Sequence, residues 1–276
     1  MSVARPTYCG VMPTPRYTHG HHESVLRSHQ WRTAANSAGF LLADLGTGDR
    51  VLDVGCGPGN ITADLAQYVP DGSVVGIDLS EEIIARATSD HAATPNVSFR
   101  VGDVYGLDAP DGSYDVVYAH QVLQHLHDPV AALREMRRVL APGGLLAVRE
   151  ADFGGFFWHP ATPALDEWME LYHRVTAHNG AQADGGRHLP QWVRGAGFTD
   201  LAVTATSWTF ETAEDRSWWG GLWADRVVLS EFARQAVEYS LSTPEELETI
   251  AAAFRSWATS EDGLFVVPSI EVLARP

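Results

Sequence analysis

The chain has no lysine: all 19 of its basic residues are arginine, set against 35 acidic residues, for a formal net charge of -16. Nucleic-acid backbones are bound through clustered Lys and Arg, and no such cluster interrupts this acidic chain, so nucleic acid is excluded as an expected partner. The lack of lysine itself is assigned to codon usage rather than to function. Cysteine is almost as scarce. Cys9 lies in the N-terminal segment and Cys56 in a glycine loop, which argues against a disulfide framework or a zinc site and for a reducing compartment. No apolar run approaches the length of a membrane span, and Met1 to Tyr17, with three prolines and two arginines, lacks the apolar stretch of a signal peptide. The expectation is a soluble, cytoplasmic protein with no membrane partner and no metal.

What is present is a core-forming chain: 276 residues, 45% of them apolar, enough for one large domain. Its organising stretch is Val51-Leu-Asp-Val-Gly-Cys-Gly-Pro-Gly-Asn60. Val51, Leu52 and Val54 read as a strand covered on both faces, and Gly55, Gly57 and Gly59 permit a sharp turn and close approach of a ligand. Ile61, Leu65, Tyr68 and Val69 follow at helical spacing, with Asn60 placed as the helix cap. Strand, glycine loop and helix in that order form a nucleotide-type binding turn.

The same alternation continues. Val74 to Leu79 is a second strand, and Ser80 with Glu81 and Glu82 starts a helix. Val97 to Asp103 and Tyr114 to Ala119 are further strands, and a helix from Asp128-Pro129 runs to the Pro142-Gly-Gly144 turn and a fifth strand at Leu145 to Val148. This pattern implies a doubly wound parallel sheet. After Glu150 the composition turns aromatic, with eight of the nine tryptophans beyond it. A helix carries Leu165, Trp168 and Tyr172, a strand spans Phe198 to Phe210, and helical signals fill Ser217 to Tyr239. Thr243-Pro-Glu-Glu246 fits a capping box, and a last strand covers Phe265 to Leu273. Residues 1–30 are expected to form a tail and lid. Residues 31–276 form one domain, with helical insertions at about 154–190 and 211–262.

The glycine loop departs from known phosphate sites. Asn60 stands where a dinucleotide fingerprint needs its third glycine, Pro58 removes a backbone donor, and no Gly-Lys-Ser/Thr follows. Asp53-Val-Gly-Cys-Gly-Pro-Gly59, with Asp78 ending the second strand, Asp103 ending the third and Pro142-Gly-Gly before the fifth, resembles the class I S-adenosylmethionine-dependent methyltransferases. The resemblance covers roughly residues 30 to 150. It implies a Rossmann-like, seven-stranded, mostly parallel sheet with a C-terminal antiparallel strand and helical cap insertions. It also implies S-adenosyl-L-methionine as cofactor, a sulfonium with no phosphate to cradle.

By that resemblance Gly55, Cys56, Gly57 and Gly59 pass beneath the methionine and ribose, and Asp78 accepts from the ribose hydroxyls. Leu79 packs on adenine, Asp103 and Val104 meet the adenine edge, and His120 meets the methionine end. Asp53 belongs to the same cofactor set, with a purely structural acceptor as its alternative role. A general base, if used, is a histidine: His22 and His120 are favoured over His29, His159, His173 and His178. His125 is read as structural.

The strand end Tyr118-Ala-His-Gln121 lacks the Asn-Pro-Pro-Tyr wording of amide- and base-directed enzymes. Its continuation to Leu-Gln-His-Leu-His-Asp-Pro129 is similar to quinone-biosynthesis and secondary-metabolite methyltransferases. The expected acceptor is a small apolar or aromatic metabolite, methylated on O, N or C, and touched by Tyr17, Trp158, Trp168, Trp219 and Trp223. The sequence leaves the oligomeric state open, but a helix around Trp218 to Trp223, if exposed, could equally serve as a homodimer surface. The alternatives are a non-catalytic S-adenosylmethionine sensor or scaffold and, more remotely, a nicotinamide dehydrogenase.

Overall fold

A computed structural model describes Thr18, Gly20 and residues 23–276. Tyr17 and His22, like Cys9, His19 and His21, lie outside the described residues, and so does most of the segment expected as a lid. Helix α1 (Glu23–Gln30) and the short α2 (Ala34–Ser37) precede β1 (Arg50–Val54), α3 (Asn60–Leu65), β2 (Ser73–Asp78), α4 (Glu81–Asp90), β3 (Val97–Val101), β4 (Tyr114–His120), α5 (Pro129–Val139) and β5 (Leu140–Ala151). Then come β6 (Phe157–His159), α6 (Pro163–His178), α7 (Gly185–Gly195), β7 (Asp200–Phe210), α8 (Ala213–Leu229), α9 (Glu231–Glu238), α10 (Pro244–Ala258) and β8 (Leu264–Arg275).

Among the described residues the strands form one sheet in the order β3-β2-β1-β4-β5-β8, with β7 and β6 both paired to β8. The pairs β1 to β2, β1 to β4, β2 to β3 and β4 to β5 are parallel, and β8 runs antiparallel to each of its three partners. The expected Rossmann-like sheet is therefore present, enlarged by the three-residue β6. Pro142-Gly-Gly144 does not end the ladder. It bulges out, with pairing stepping from Tyr114 opposite Leu140 to Val116 opposite Leu145, and Gly143 takes the left-handed conformation (φ 78°) that the excursion needs.

Short polar side chains set the helix starts. Ser80 accepts from Ile83 N–H at 3.3 Å and Asp128 from Ala131 N–H at 2.9 Å. At α10 the predicted capping box is complete, with Thr243 Oγ1 accepting from Glu246 N–H and Glu246 Oε2 from Thr243 N–H. Two starts differ from expectation. Gly59 in the left-handed region (φ 84°), not Asn60, is the N-cap of α3. The aromatic helix is divided at Ser230, whose hydroxyl accepts from Phe232 N–H and opens α9.

Burial divides into three clusters. One face of the sheet packs Leu133 and Met136 of α5 and Leu189 and Val193 of α7; the other packs α2, α3 and Leu41. The third is an aromatic core under the cap, centred on Trp168, Trp223, Phe254 and Phe265. Helix α1 leans on α8, and Arg226 of α8 donates to Ser24 O and Ser28 Oγ. Among the described residues no helix is long and apolar enough to cross a membrane.

Candidate active site

The C-terminal ends of β1, β2 and β4 point into a cavity of about 630 Å³, within the roughly 300–1,000 Å³ usual for ligand sites. The loop after β1 forms its floor. Gly55 and Cys56 donate their N–H groups to Ile77 O at 2.8 and 2.9 Å, tying the loop to β2. Gly55 has φ 70°, and a Cβ there would lie 2.4 Å from Val122 Cγ2, so the close approach of loop and β4 exit requires glycine. Gly59 is equally constrained, with a Cβ 2.6 Å from the Phe99 ring.

Three carboxylates face this cavity: Asp53, Asp78 and Asp103. Asp78 Oδ2 accepts from Gly57 N–H (3.2 Å) and Oδ1 from Ser80 N–H (3.0 Å), which aims the carboxylate across the loop. Asp103 Oδ1 accepts from Tyr105 N–H at 2.9 Å. Asp53 is buried and accepts from Thr62 Oγ1 at 2.6 Å. Burial pushes its carboxyl up to about 7, with the Thr62 hydroxyl opposing and the charge of Asp78 adding. Asp53 thus carries the structural bond foreseen as its alternative role while also lining the cavity. Cys56 lines it as a thiol, its ionisation strongly disfavoured by burial and by Asp53 and Asp78. Leu79 is 72% exposed, an apolar platform at the rim, and Val104 is buried opposite.

At the inner end stands His120, with Gln121 beside it in the left-handed region (φ 54°), a strained conformation for a residue with a side chain. His120 is buried, and neither ring nitrogen has a partner among the described residues. Burial, then the charges of Arg32, Arg149 and His29, hold it well below the ordinary histidine range. The ring is therefore neutral, and a weaker base than the sequence suggests. His125, read from sequence as structural, lines the cavity too; burial and Arg32 push it down to about 3.

A second chamber, about 40 Å³, adjoins the first. Both are lined by His29, Arg32, Gln121 and His125. Beyond this shared wall the chamber is aromatic: Trp31, Trp208, Trp218, Trp219 and Trp223, with Phe153 and Phe156. Trp31 packs edge-on to Trp208 at 5.2 Å, and Arg32 lies over the Trp208 ring at 5.6 Å while donating to Gln121 Oε1 at 2.7 Å.

Trp219 and Trp223 therefore reach the chamber, and Trp158 and Trp168 do not. Trp168 is consumed by packing against Trp223, Phe254 and Phe265, and Trp158 stacks on Phe265. Because Trp219 and Trp223 are buried within the chain, α8 does not present the exposed tryptophan face assigned to a dimer contact. His173, held by Asp184 at 2.9 Å, and His178, stacked on Tyr239, border neither cavity.

Several residues at the site are not evident from sequence. Trp31, just past the end of α1, converges with Trp208 of β7 and Trp218 of α8 from distant stretches of sequence. Glu150 is wholly buried and accepts from Val122 N–H (3.0 Å) and Leu123 N–H (2.8 Å), fixing the turn behind His120. Its one sequence signal is the charged pair Arg149-Glu150 directly continuing an apolar strand.

The donor set suits S-adenosylmethionine: carboxylates for a cationic, hydroxyl-bearing ligand, an apolar rim for a base, and a glycine floor without a phosphate cradle. The methyltransferase domain family matches residues 51–144. Over 268 residues the chain is 32% identical to an uncharacterized methyltransferase of Schizosaccharomyces pombe, covering 93% of this chain and 95% of that protein. It is 30% identical over 279 residues to a probable methyltransferase of Aspergillus luteorubrus, covering 95% and 97%. Among solved structures, phosphoethanolamine N-methyltransferase 2 of Haemonchus contortus, crystallised with phosphomonomethylethanolamine and S-adenosylhomocysteine, shares the fold at a TM-score of 0.53 and 19% identity, over 84% of this chain and 50% of that one.

With this fold and this loop, the chain belongs to the class I S-adenosylmethionine-dependent methyltransferases. It is an enzyme, and S-adenosylmethionine is its methyl donor.

Proposed function

We propose that the enzyme methylates a small apolar or aromatic metabolite at the tryptophan chamber, whose volume of about 40 Å³ would have to widen to admit a ring, with S-adenosylmethionine in the adjoining larger cavity. In this reading Asp78 holds the ribose, Leu79, Asp103 and Val104 the adenine, and Gly55, Cys56, Gly57 and Gly59 the floor beneath the methionine, with Asp53 bracing the loop and His120 at the methionine end. Bound there, the cofactor supplies an electrophilic methyl carbon. The protein's main task is alignment, because in-line displacement depends first on the two reactants being held in reach. The observation that carries the reading is the shared wall of His29, Arg32, Gln121 and His125 between a carboxylate-lined cavity and an aromatic one.

The test is incubation with methyl-labelled S-adenosylmethionine and a fractionated metabolite extract, with Trp208→Ala alongside. Label is expected in a small, organic-soluble product. In the variant, transfer should fall by about ten-fold or more while affinity for S-adenosylhomocysteine stays within about two-fold. Label confined to protein or nucleic acid would defeat the proposal.

A further inference from the structure

The chamber's walls also state the charge of what they hold, and this step rests on the reading of the chamber as the acceptor site. The chain carries 35 acidic residues, yet none is among the described residues that line the chamber. Two arginines are: Arg32 at the shared wall and Arg226, whose guanidinium lies 4.6 Å over the Trp223 ring. The positive charge of Arg32 reaches the junction, where with burial it holds both His120 and His125 below the ordinary histidine range. Trp219, 5% exposed, has its Nε1 buried with no hydrogen-bond partner among the described residues. An indole N–H can only donate, so its complement is an acceptor atom and not an ammonium.

We propose that the methyl acceptor is an ionisable acid, a phenol, enol or carboxylic acid methylated as its anion on oxygen or carbon, and not an amine. An amine would face these arginines with no carboxylate among the described lining residues to take its proton or to balance the ammonium that methylation leaves. An anion is stabilised by those arginines and meets the sulfonium with opposite charge. The acceptor, having lost its proton to solvent, uses a lone pair of oxygen or carbon to form the bond to the methyl carbon. The sulfur–methyl bond breaks as its pair returns to sulfur, and the two charges cancel. The neutral histidines at the junction then need carry no proton.

Binding alone can test this. The chamber's five tryptophans report occupancy through their fluorescence. Benzoate, benzyl alcohol and benzylamine, single rings that are anionic, neutral and cationic at pH 7.5, are titrated into the full-length protein carrying S-adenosylhomocysteine. Benzoate should bind about ten-fold or more tighter than benzylamine, the scale of one charge-assisted hydrogen bond. Arg32→Gln should shrink that preference and Arg32→Lys restore most of it. Trp219→Phe should weaken benzoate more than benzyl alcohol, because the N–H donates more strongly to an anionic oxygen than to a neutral one. Equal binding of the three, or a preference for benzylamine, overturns the charge assignment and leaves the chamber as an acceptor site. No response to any of the three removes the chamber reading and the inference with it.

Discussion

Glu150 makes protein stability depend on pH in a direction opposite to that of ordinary surface carboxylates. It is completely buried, and its Oε1 takes the N–H groups of Val122 and Leu123. Burial, only partly opposed by backbone N–H groups of residues 122–124 and by Arg149, pushes its carboxyl from 4.5 up to about 8. Folding therefore captures a proton that the unfolded chain releases. The stabilisation is complete below about pH 4.5, declines by about 1.4 kcal/mol per pH unit above it, and is gone once the pH passes through about 8. Across that window the loss is on the order of 5 kcal/mol.

Glu150→Gln keeps the acceptor oxygen and has no proton to lose. Thermal and urea midpoints of both proteins, measured from pH 5 to 9, give a difference curve. Asp53, raised to about 7, slopes the same way in both proteins and cancels. The variant should gain on the wild type steadily as pH rises, most of the gain being reached by about pH 8. Parallel curves over the whole range would show that Glu150 is ionised in the folded protein and would refute the reasoning.

Other perturbations probe the same frame. Asp78→Ala should weaken S-adenosylhomocysteine binding, read by calorimetry, by about 1.5–3 kcal/mol; unchanged affinity in a folded variant removes Asp78 from the cofactor site. Gly55→Ala drives a methyl group against Val122 and should lower both stability and cofactor affinity. Adding Val122→Ala should recover only part, leaving the strain of the left-handed backbone at about 1–2 kcal/mol. Glu271→Ala strands the buried Arg149, which Glu271 holds at 3.2 Å with help from Thr204 and Thr206. That variant should lose about 3–5 kcal/mol in urea unfolding, and a loss under about 1 kcal/mol would mean that Arg149 is not desolvated as the fold indicates.

The parallel half of the fold was readable because its signals are local. Apolar runs that carry Asp53 one residue before the end of β1, Asp78 at the end of β2 and Asp103 just past β3 place the carboxylates near strand ends without any knowledge of long-range contacts. The cap helices were readable through Thr243-Pro-Glu-Glu and the Trp168 periodicity. The aromatic chamber was not, because its walls meet only in three dimensions: Trp31 contacts Trp208 across 177 positions of sequence. Composition could say that tryptophans gather beyond Glu150 but not which of them pack together and which face space; Trp168 and Trp223 have the same residue type and helix spacing, and only one borders the chamber. Glu150 escaped notice because a charged residue after Val148 looks like a strand end, whereas here β5 continues to Ala151.

Strand β8 has a mechanical meaning for turnover. Along one edge it is laddered to β7 from Phe265 to Arg275; along the other it meets β6 at Leu264 to Val266 and β5 at Ser269 to Ala274. A cap slung on a loop could swing open like a jaw. This one is riveted to the cofactor sheet by continuous backbone hydrogen bonds, and a rigid rotation would have to shear them. Room for an acceptor must therefore come from the helical side, where α1 rests on α8 through Arg226 and two serines. Because α1 also carries His29, on the wall shared by the two cavities, any shift of α1 against α8 would move that wall as well, while the β7 and β5 sides keep their ladders.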